Sequence, residues 1–369
     1  MASEAIREGP KSICIRGFGW GHGESNRNRK IRLYEVNLCD SSSSESSKKR
    51  KRGHDSPQSV PMLDPLCKTN HPVASCCVSL GSTIYCIGAV ASCSIALGST
   101  MYSVGANPDD LFGFGCEFIV TDSRLSNQIW KQASPMLNGR WFPHAVAMAG
   151  KIYVFGGCRA NTDVWAEVYH PEKDEWKALM KPPPSSKITQ LPYHNFFAAT
   201  LDIDSQQILV GSCTGDHLYV YNTTSDSWET KKHPGLCMMS GYTKPVLHRN
   251  TLYWLDYRKI HAYDLNAKQS FCGHFDCKEV DDLLDELEGL DYMPLFFHFC
   301  QEEFCLLWTD TVVHPSSSRP HRMCSNIHWV KWRISKNMIK GSLSISIISK
   351  DAVFVKHQLT YIDSVMLKG

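Results

Sequence analysis

Short apolar runs separated by turn-forming clusters organise the chain from residue 73 onward. VASCCVSLGSTIYCIGA (73–89) and VASCSIALGSTMYSVGA (90–106) are two 17-residue copies of one unit, identical at eleven positions. Each copy is an apolar run, a Gly-Ser-Thr break, a Tyr within a second apolar run, and a closing Gly-Ala. Two β-favouring runs flanking a tight Gly-containing break predict a hairpin. The same pattern returns without gaps in HAVAMAGKIYVFGG (144–157), and more loosely in FFAATLDIDSQQILVGS (196–212) and TKPVLHRNTLYWLD (243–256).

A second piece follows each hairpin. AEVYHPEKDEWKAL (166–179) matches LYVYNTTSDSWETK (218–231), so that Tyr169 precedes Trp176 by the same seven residues that separate Tyr221 from Trp228. The Pro, Asn, Asp and Ser between them are turn formers, which predicts a second hairpin. FIVTDSRLSNQIWKQAS carries Trp130 at the corresponding place but lacks the Tyr, and Phe271 stands in for a fourth Trp. Trp130, Trp176 and Trp228 are spaced by 46 and 52 residues. Four strands at a period of about 50 residues predict a propeller blade.

With Gly156-Gly157, Tyr169 and Trp176 in that order, the chain resembles the kelch repeat of the galactose oxidase/kelch superfamily and is similar to plant F-box/kelch-repeat proteins. The resemblance covers residues 73–277 best, is weak from 291 and is absent before 70. It implies an all-β, kelch-type β-propeller of degenerate repeats, with about 5–6 blades and a disordered N-terminal linker. Gly156, Gly157, Tyr169, Trp176, Gly211, Tyr221, Trp228 and Trp130 are its expected structural repeat residues. Only the second blade keeps Gly-Gly; the others read Gly88-Ala89, Gly105-Ala106, Gly211-Ser212 and Leu255-Asp256.

The expected organisation is an N-terminal tail (1–28), a strand at 29–40 that could close the ring, a disordered Ser-rich and basic linker (41–72), and the propeller (73–369). Its blades are placed at 73–134, 141–181, 194–232, 240–277 and 291–337, with a partial one at 340–369. Either copy of the doubled hairpin could complete the first blade with EFIVTDS (117–123), leaving the other to loop out or add strands at its edge. KEVDDLLDELEGLDYMP (278–294) puts Val280, Leu283, Leu284, Leu287 and Leu290 at helical spacing with acids opposite, and reads as a surface helix or a docking helix for a basic partner.

Charge changes this picture at one place. The chain of 369 residues has 39 basic and 37 acidic side chains, yet five of the bases form one run, Lys48, Lys49, Arg50, Lys51 and Arg52. The remaining balance, 34 basic against 37 acidic, does not suit nucleic-acid binding by the propeller. The run has the pattern of a nuclear localisation signal, which importin reads as an extended basic chain, so the nucleus, the cytoplasm or both are expected. Ser56-Pro57 and the serines beside Glu45 are candidate phosphorylation sites that would offset this charge.

The 16 cysteines contain no C-x-x-C pair, and no apolar leader opens the chain; both suit buried free thiols in a reducing compartment. Cys272-Gly-His274-Phe-Asp-Cys277 and His298-Phe-Cys300 with Cys305 fit no zinc module. Residues 69–108 lack charge, but their Ser, Gly and Thr breaks argue against a membrane span.

Among the relatives that the resemblance brings in, galactose oxidase is an enzyme and holds copper. Here the histidines do not recur at equivalent strand positions, and neither a phosphate-cradling Gly loop nor G-x-S-x-G occurs, so no catalysis and no cofactor are expected. A protein-interaction platform is favoured. The loops between strands two and three, and those between blades, emerge on one propeller face. They carry Arg140, Trp141, Phe142, Arg159, Asn161, Tyr193, His194, Asn195, Asp216, Tyr242, Tyr257 and Arg258, many of a type that forms interface hot spots. The family resemblance adds a second reading: a ubiquitin-ligase substrate receptor joined to a Skp-type adaptor. The Leu- and Pro-marked helices of an F-box are not seen in residues 1–72.

Overall fold

The computed structural model describes the strand residues 12–19, 30–37, 62–63, 67–69, 77–80, 83–86, 94–97 and 100–104, then 116 and 118–122. From 131 to 355 it describes all but 141–142, 160–161, 184–186, 191–195, 203, 213–216, 235, 237–242, 257–258, 275–293 and 314–322, and it resumes over 361–367. Among the described residues the elements are strands, apart from a 3₁₀ turn at Lys187–Gln190. The described fold is all-β, with successive four-stranded antiparallel sheets packed side by side as propeller blades.

Blade two shows how the sequence pattern becomes a sheet. Strands His144–Met148, Lys151–Phe155, Ala166–His170 and Glu175–Ala178 pair antiparallel in chain order. The first three are almost wholly buried and the fourth is largely exposed, because the inner strands of a blade are covered on both faces by neighbours. Ala149 and Gly150, with φ of 49° and 73°, make the tight turn with the primed twist that a two-residue hairpin needs. Blade three repeats the plan with Phe196–Asp202, Gln207–Ser212, His217–Asn222 and Ser227–Lys232. Blade four does so with Val246–His248, Thr251–Asp256, Lys259–Asp264 and Gln269–His274.

The doubled segment resolves unequally. The second copy, as Ser94–Leu97 and Thr100–Val104, continues into Phe118–Asp122 and Lys131–Gln132 and so completes blade one. The first copy, Cys77–Leu80 with Thr83–Cys86, forms a separate two-stranded sheet. It lies against blade one and against the strand Tyr361–Leu367.

Several expected boundaries are corrected. The region 340–369 is no partial blade. Ser342–Val355 is the outer strand of blade five, after Leu295–Cys300, Glu303–Val313 and Met323–Asn337. Tyr361–Leu367 instead pairs with Ser12–Gly19, which pairs with Lys30–Asn37 and then Cys67–Thr69. The segment 1–28 therefore contains a strand rather than only a tail. The stretch 41–72 contributes Cys67–Thr69 and also Met62–Leu63, which runs parallel to the end of Ser342–Val355. The first strands of successive sheets lie side by side from 144–148 through 196–202, 246–248 and 295–300 to 361–367. The hairpin 77–86 bridges from there to blade one. Joining both ends of the chain in one sheet gives the C-terminal strand Tyr361–Leu367 a hydrogen-bonded partner in Ser12–Gly19. The segment 278–294, expected to be helical, and the basic run 48–52 lie outside the described residues except for Pro294.

One hydrogen-bonded clip recurs between blades. In blade two, the Tyr169 hydroxyl donates to Asp174 over 2.7 Å and the Ser134 backbone N–H donates to the same carboxylate. Trp176 Nε1 returns a bond to the Ser134 carbonyl. In blade three, Tyr221 and the Met180 N–H converge on Asp226, and Trp228 Nε1 donates to the Met180 carbonyl. Ser134 and Met180 are the exits of the preceding blades, so each outer hairpin holds the blade before it. Tyr faces Trp across the strand pair in both cases, and the Asp sits at φ 51° or 48°, a left-handed position that Asp tolerates better than most residues.

Strand register corrects the assignment of Phe271. Tyr263 faces Ser270, so Ser270 occupies the Trp position, and Lys268, at φ 52°, occupies that of Asp. Phe271 faces Ala262 and is a core residue of the seam with blade five. With the carboxylate gone, the Tyr263 hydroxyl donates to the Pro234 carbonyl of blade three. In blade five the Tyr position is Lys336, whose ammonium reaches Asp264 at 2.6 Å and Thr251 at 2.8 Å in blade four. The link to the preceding blade persists while its chemistry changes.

Asp226→Ala removes the shared acceptor and places Ala in a left-handed conformation. It is expected to lower stability by about 1–3 kcal/mol, with Asp226→Asn costing less, as read by chemical denaturation. A second expectation concerns pH. His248 is depressed to about 4 by burial, then by His298, Arg249 and Lys336. His144 is held well below its ordinary value by burial and then Lys244, and His233 is lowered by burial and then Lys268 and Lys231. Because these imidazoles titrate near 6.5 once unfolded, the unfolded chain binds more protons as pH falls below that value. The melting temperature should drop progressively between pH 6.5 and about 4, the folded value for His248. A His248→Phe variant should show a shallower slope.

Candidate interaction face

The best-described part of the proposed binding face is the loop that joins the second and third strands of blade two. It leaves the strand through Gly156 and Gly157, at φ 61° and 70°. A Cβ on Gly156 would come within 2.3 Å of the Phe196 ring from blade three, so conformation and close approach both require glycine here. At Gly211 the demand is spatial: an added Cβ would meet Phe197 and Leu218 at 2.6 and 2.7 Å.

The base of this loop is tied down by two side chains that precede the inner strand. Arg140 is completely buried and pairs with the equally buried Glu167 at 2.7 Å. Its guanidinium also donates to the carbonyls of Gly156 and Trp165, while Glu167 takes the Leu137 N–H on its other oxygen. Asn138 donates to Thr162 and to the Val164 carbonyl. A buried ion pair gains little net stability against desolvation unless its remaining hydrogen-bonding positions are filled; here they are, by groups at the base of the loop. Arg140 therefore leaves the set of expected partner-contacting residues. It shapes the loop from inside, and removing either charge would strand the other in the core.

Arg159 emerges exposed from that base, two residues after Gly157. Near it in sequence, Asp163 is almost wholly exposed and pairs with Lys181 at 2.9 Å. The intervening Cys158 is buried, and burial pushes its thiol pKa up, so it is poorly suited to act as a nucleophile. Trp141, Phe142, Asn161, Tyr193, His194, Asn195, Asp216, Tyr242, Tyr257 and Arg258 lie outside the described residues, as does Trp130.

Blade five adds a feature that the sequence reading missed. Glu303–Val313 and Met323–Asn337 hold 11 and 15 residues, against 6 and 6 in the equivalent strands of blade four. The hairpin projects past blade four at the end where the two-to-three loops emerge. On its flank His328 stacks on Trp308 at 5.2 Å and pairs with Asp310 at 3.1 Å. Asp310 also accepts from the Asn326 backbone and side chain. Burial opposes ionisation of Asp310, but these bonds and His328 hold its pKa below the ordinary carboxylate value. The unbroken run of mostly β-favouring residues in LLWTDTVV was the available signal for this long strand.

Among the described residues, no group of three or more His, Cys, Asp or Glu side chains is arranged to hold a metal ion. Cys305 is buried with its thiol raised by desolvation, and Cys272 and Cys300 are partly buried and raised as well.

Comparison with known proteins places these features. Residues 142–183 match the kelch motif, which is blade two with its exit. One F-box/kelch-repeat protein of Arabidopsis thaliana is 31% identical over 108 residues, covering 29% of this chain and 26% of that protein. Another from the same plant is 26% identical over 201 residues, covering 54% and 48%. Mouse kelch-like protein 23 is 31% identical over 126 residues, covering 29% and 20%. The matched part of the chain thus spans less than half the length of each of these curated relatives. Among solved structures, "Structure of YjhT" aligns with 78% of this chain and 98% of its own at 10% identity, with a TM-score of 0.45. Over residues 142–183 the glycine-ended inner hairpin with Tyr169 and Trp176 is thus a kelch motif.

Proposed function

We propose that the propeller is a non-enzymatic platform that presents the loops of one face to a partner protein. The observation that carries this reading is the loop 156–165, anchored at its base by Arg140, Glu167 and Asn138 while Arg159 stays exposed. Ordering a loop before binding reduces the conformational entropy lost in the complex, and Arg is a frequent interface anchor. The projecting hairpin of blade five supplies a wall on the same face. Arg159, with Tyr257 and Arg258 among the expected contacts, would engage the partner. Kelch-repeat relatives named as F-box/kelch and kelch-like proteins support a protein partner.

The second reading, substrate recognition within an SCF-type ubiquitin ligase, is favoured by the names of the Arabidopsis relatives. It requires association with a Skp-type adaptor, directly or through a further subunit. Affinity capture of the full chain under ligase inhibition, read by mass spectrometry with and without Arg159→Ala/Tyr257→Ala, separates the possibilities. The double variant is expected to lose the specific partner by at least tenfold while its melting temperature holds. Retained capture would place the contact on the opposite face, and an adaptor recovered with both forms would favour the ligase.

The run Lys48–Arg52 is proposed to direct the chain to the nucleus through importin. Changing all five residues to Ala should move a fluorescent fusion toward the cytoplasm; an unchanged distribution would remove that role.

A further inference from the structure

The register of the hairpin 77–86 sets Cys77 opposite Cys86 on adjacent strands. Its strands are joined by the two-residue break Gly81-Ser82, and the register runs Leu80↔Thr83, Ser79↔Ile84, Val78↔Tyr85 and Cys77↔Cys86. In a two-residue hairpin the pair flanking the loop exchanges backbone hydrogen bonds, and bonded and non-bonded pairs then alternate. Counting outward from Leu80 and Thr83, Cys77 and Cys86 form a non-hydrogen-bonded pair. Such pairs place their Cα atoms about 4.5 Å apart, within the span of about 4.4–6.8 Å that a disulfide bridges.

The duplicate supplies an internal comparison. The second copy has the same register, Leu97↔Thr100, Ala96↔Met101, Ile95↔Tyr102 and Ser94↔Ser103. The positions of Cys77 and Cys86 are thus taken by two serines, in a unit otherwise largely identical. Only the first copy can be stapled. That copy is also the one standing outside a blade, against the closing strand Tyr361–Leu367.

We propose that Cys77 and Cys86 form a reversible intramolecular disulfide, a redox-controlled clasp on the hairpin beside the ring closure. The oxidant is a small-molecule disulfide such as oxidised glutathione. One cysteine thiolate attacks a sulfur of the oxidant, giving a mixed disulfide and releasing the first small thiolate. The second cysteine, as its thiolate, attacks the protein sulfur of that mixed disulfide, closes Cys77–Cys86 and expels the second small thiolate. Two protein thiols lose two electrons and two protons, and one small disulfide becomes two thiols. Bridging a short loop restricts the unfolded ensemble, so the oxidised hairpin should be harder to open.

The test uses the full chain equilibrated with mixtures of oxidised and reduced glutathione. Free thiols are then trapped with N-ethylmaleimide, and peptides cleaved after Tyr85 are read by mass spectrometry. The expected result is a Cys77–Cys86 linked pair that disappears with dithiothreitol and is absent from Cys77→Ser/Cys86→Ser. Ser94→Cys/Ser103→Cys, which copies the pair into the second hairpin, should gain a second link with the same response. Native protein in which both Cys77 and Cys86 are alkylated under oxidising mixtures, or in which either joins Cys76 or Cys93 instead, would overturn the proposal. Should the double serine variant fail to fold, the alkylation pattern of the unmodified chain still decides.

Discussion

Contact between neighbouring blades is the constraint on which the rest of this structure depends. A four-stranded sheet with both faces apolar cannot stand in water by itself; it needs a sheet on either side. Trp228 of blade three lies edge-on to Phe155 and Trp165 of blade two at about 6 Å, and Trp176 of blade two meets Phe118 of blade one at 5.0 Å. Phe118, Phe155 and Trp165 in these contacts are buried, and truncating a buried aromatic costs about 3–5 kcal/mol. The Tyr–Asp–Trp clip adds direction to that apolar contact, since its acceptors and donors align only when adjacent blades sit at one relative height. Where the Asp and Trp are replaced, a tyrosine-to-carbonyl bond or a lysine-to-carboxylate pair keeps the same neighbours together. The degeneracy of the repeats is therefore chemical more than geometric.

The same constraint governs the two ends of the chain. A series of blades leaves an uncovered face at its start and another at its finish; the strand Tyr361–Leu367, paired with Ser12–Gly19, lies against blade five, and the hairpin 77–86 connects it to blade one. The additional hairpin lies beside this sheet, where a strand pair without outer strands of its own can still be packed. A clasp on that hairpin would act at the seam whose covering closes the ring.

Function follows from what the rigid ring leaves exposed. With both sheet faces buried, variation is confined to loops, and the loop of blade two is fixed from beneath by a buried ion pair. Arg140 and Arg159 illustrate how one residue type divides between roles: the first spends its donors on carbonyls and Glu167 inside the blade, and the second reaches solvent.

From the sequence alone, the kind of unit was legible: alternating apolar runs, Gly-Gly after Phe155, and Tyr and Trp seven residues apart belong to local hairpin geometry, which neighbouring residues determine. The strand at 29–40 was legible as a candidate for closure for the same reason. Its pairing with Ser12–Gly19, and the placing of Tyr361–Leu367 outside blade five, were not, because pairing across more than 300 residues leaves no local pattern. Likewise Phe271 has the composition of a Trp replacement, but its register places it one residue along and on the opposite face of the sheet. Arg140 resembles a surface anchor in sequence; only the packing of Glu167, Gly156 and Trp165 around it reveals a buried support. Which copy of the doubled hairpin entered a blade was also a tertiary decision. Two nearly identical hairpins have nearly identical local preferences, and only the pairing of Phe118–Asp122 with Thr100–Val104 distinguishes them.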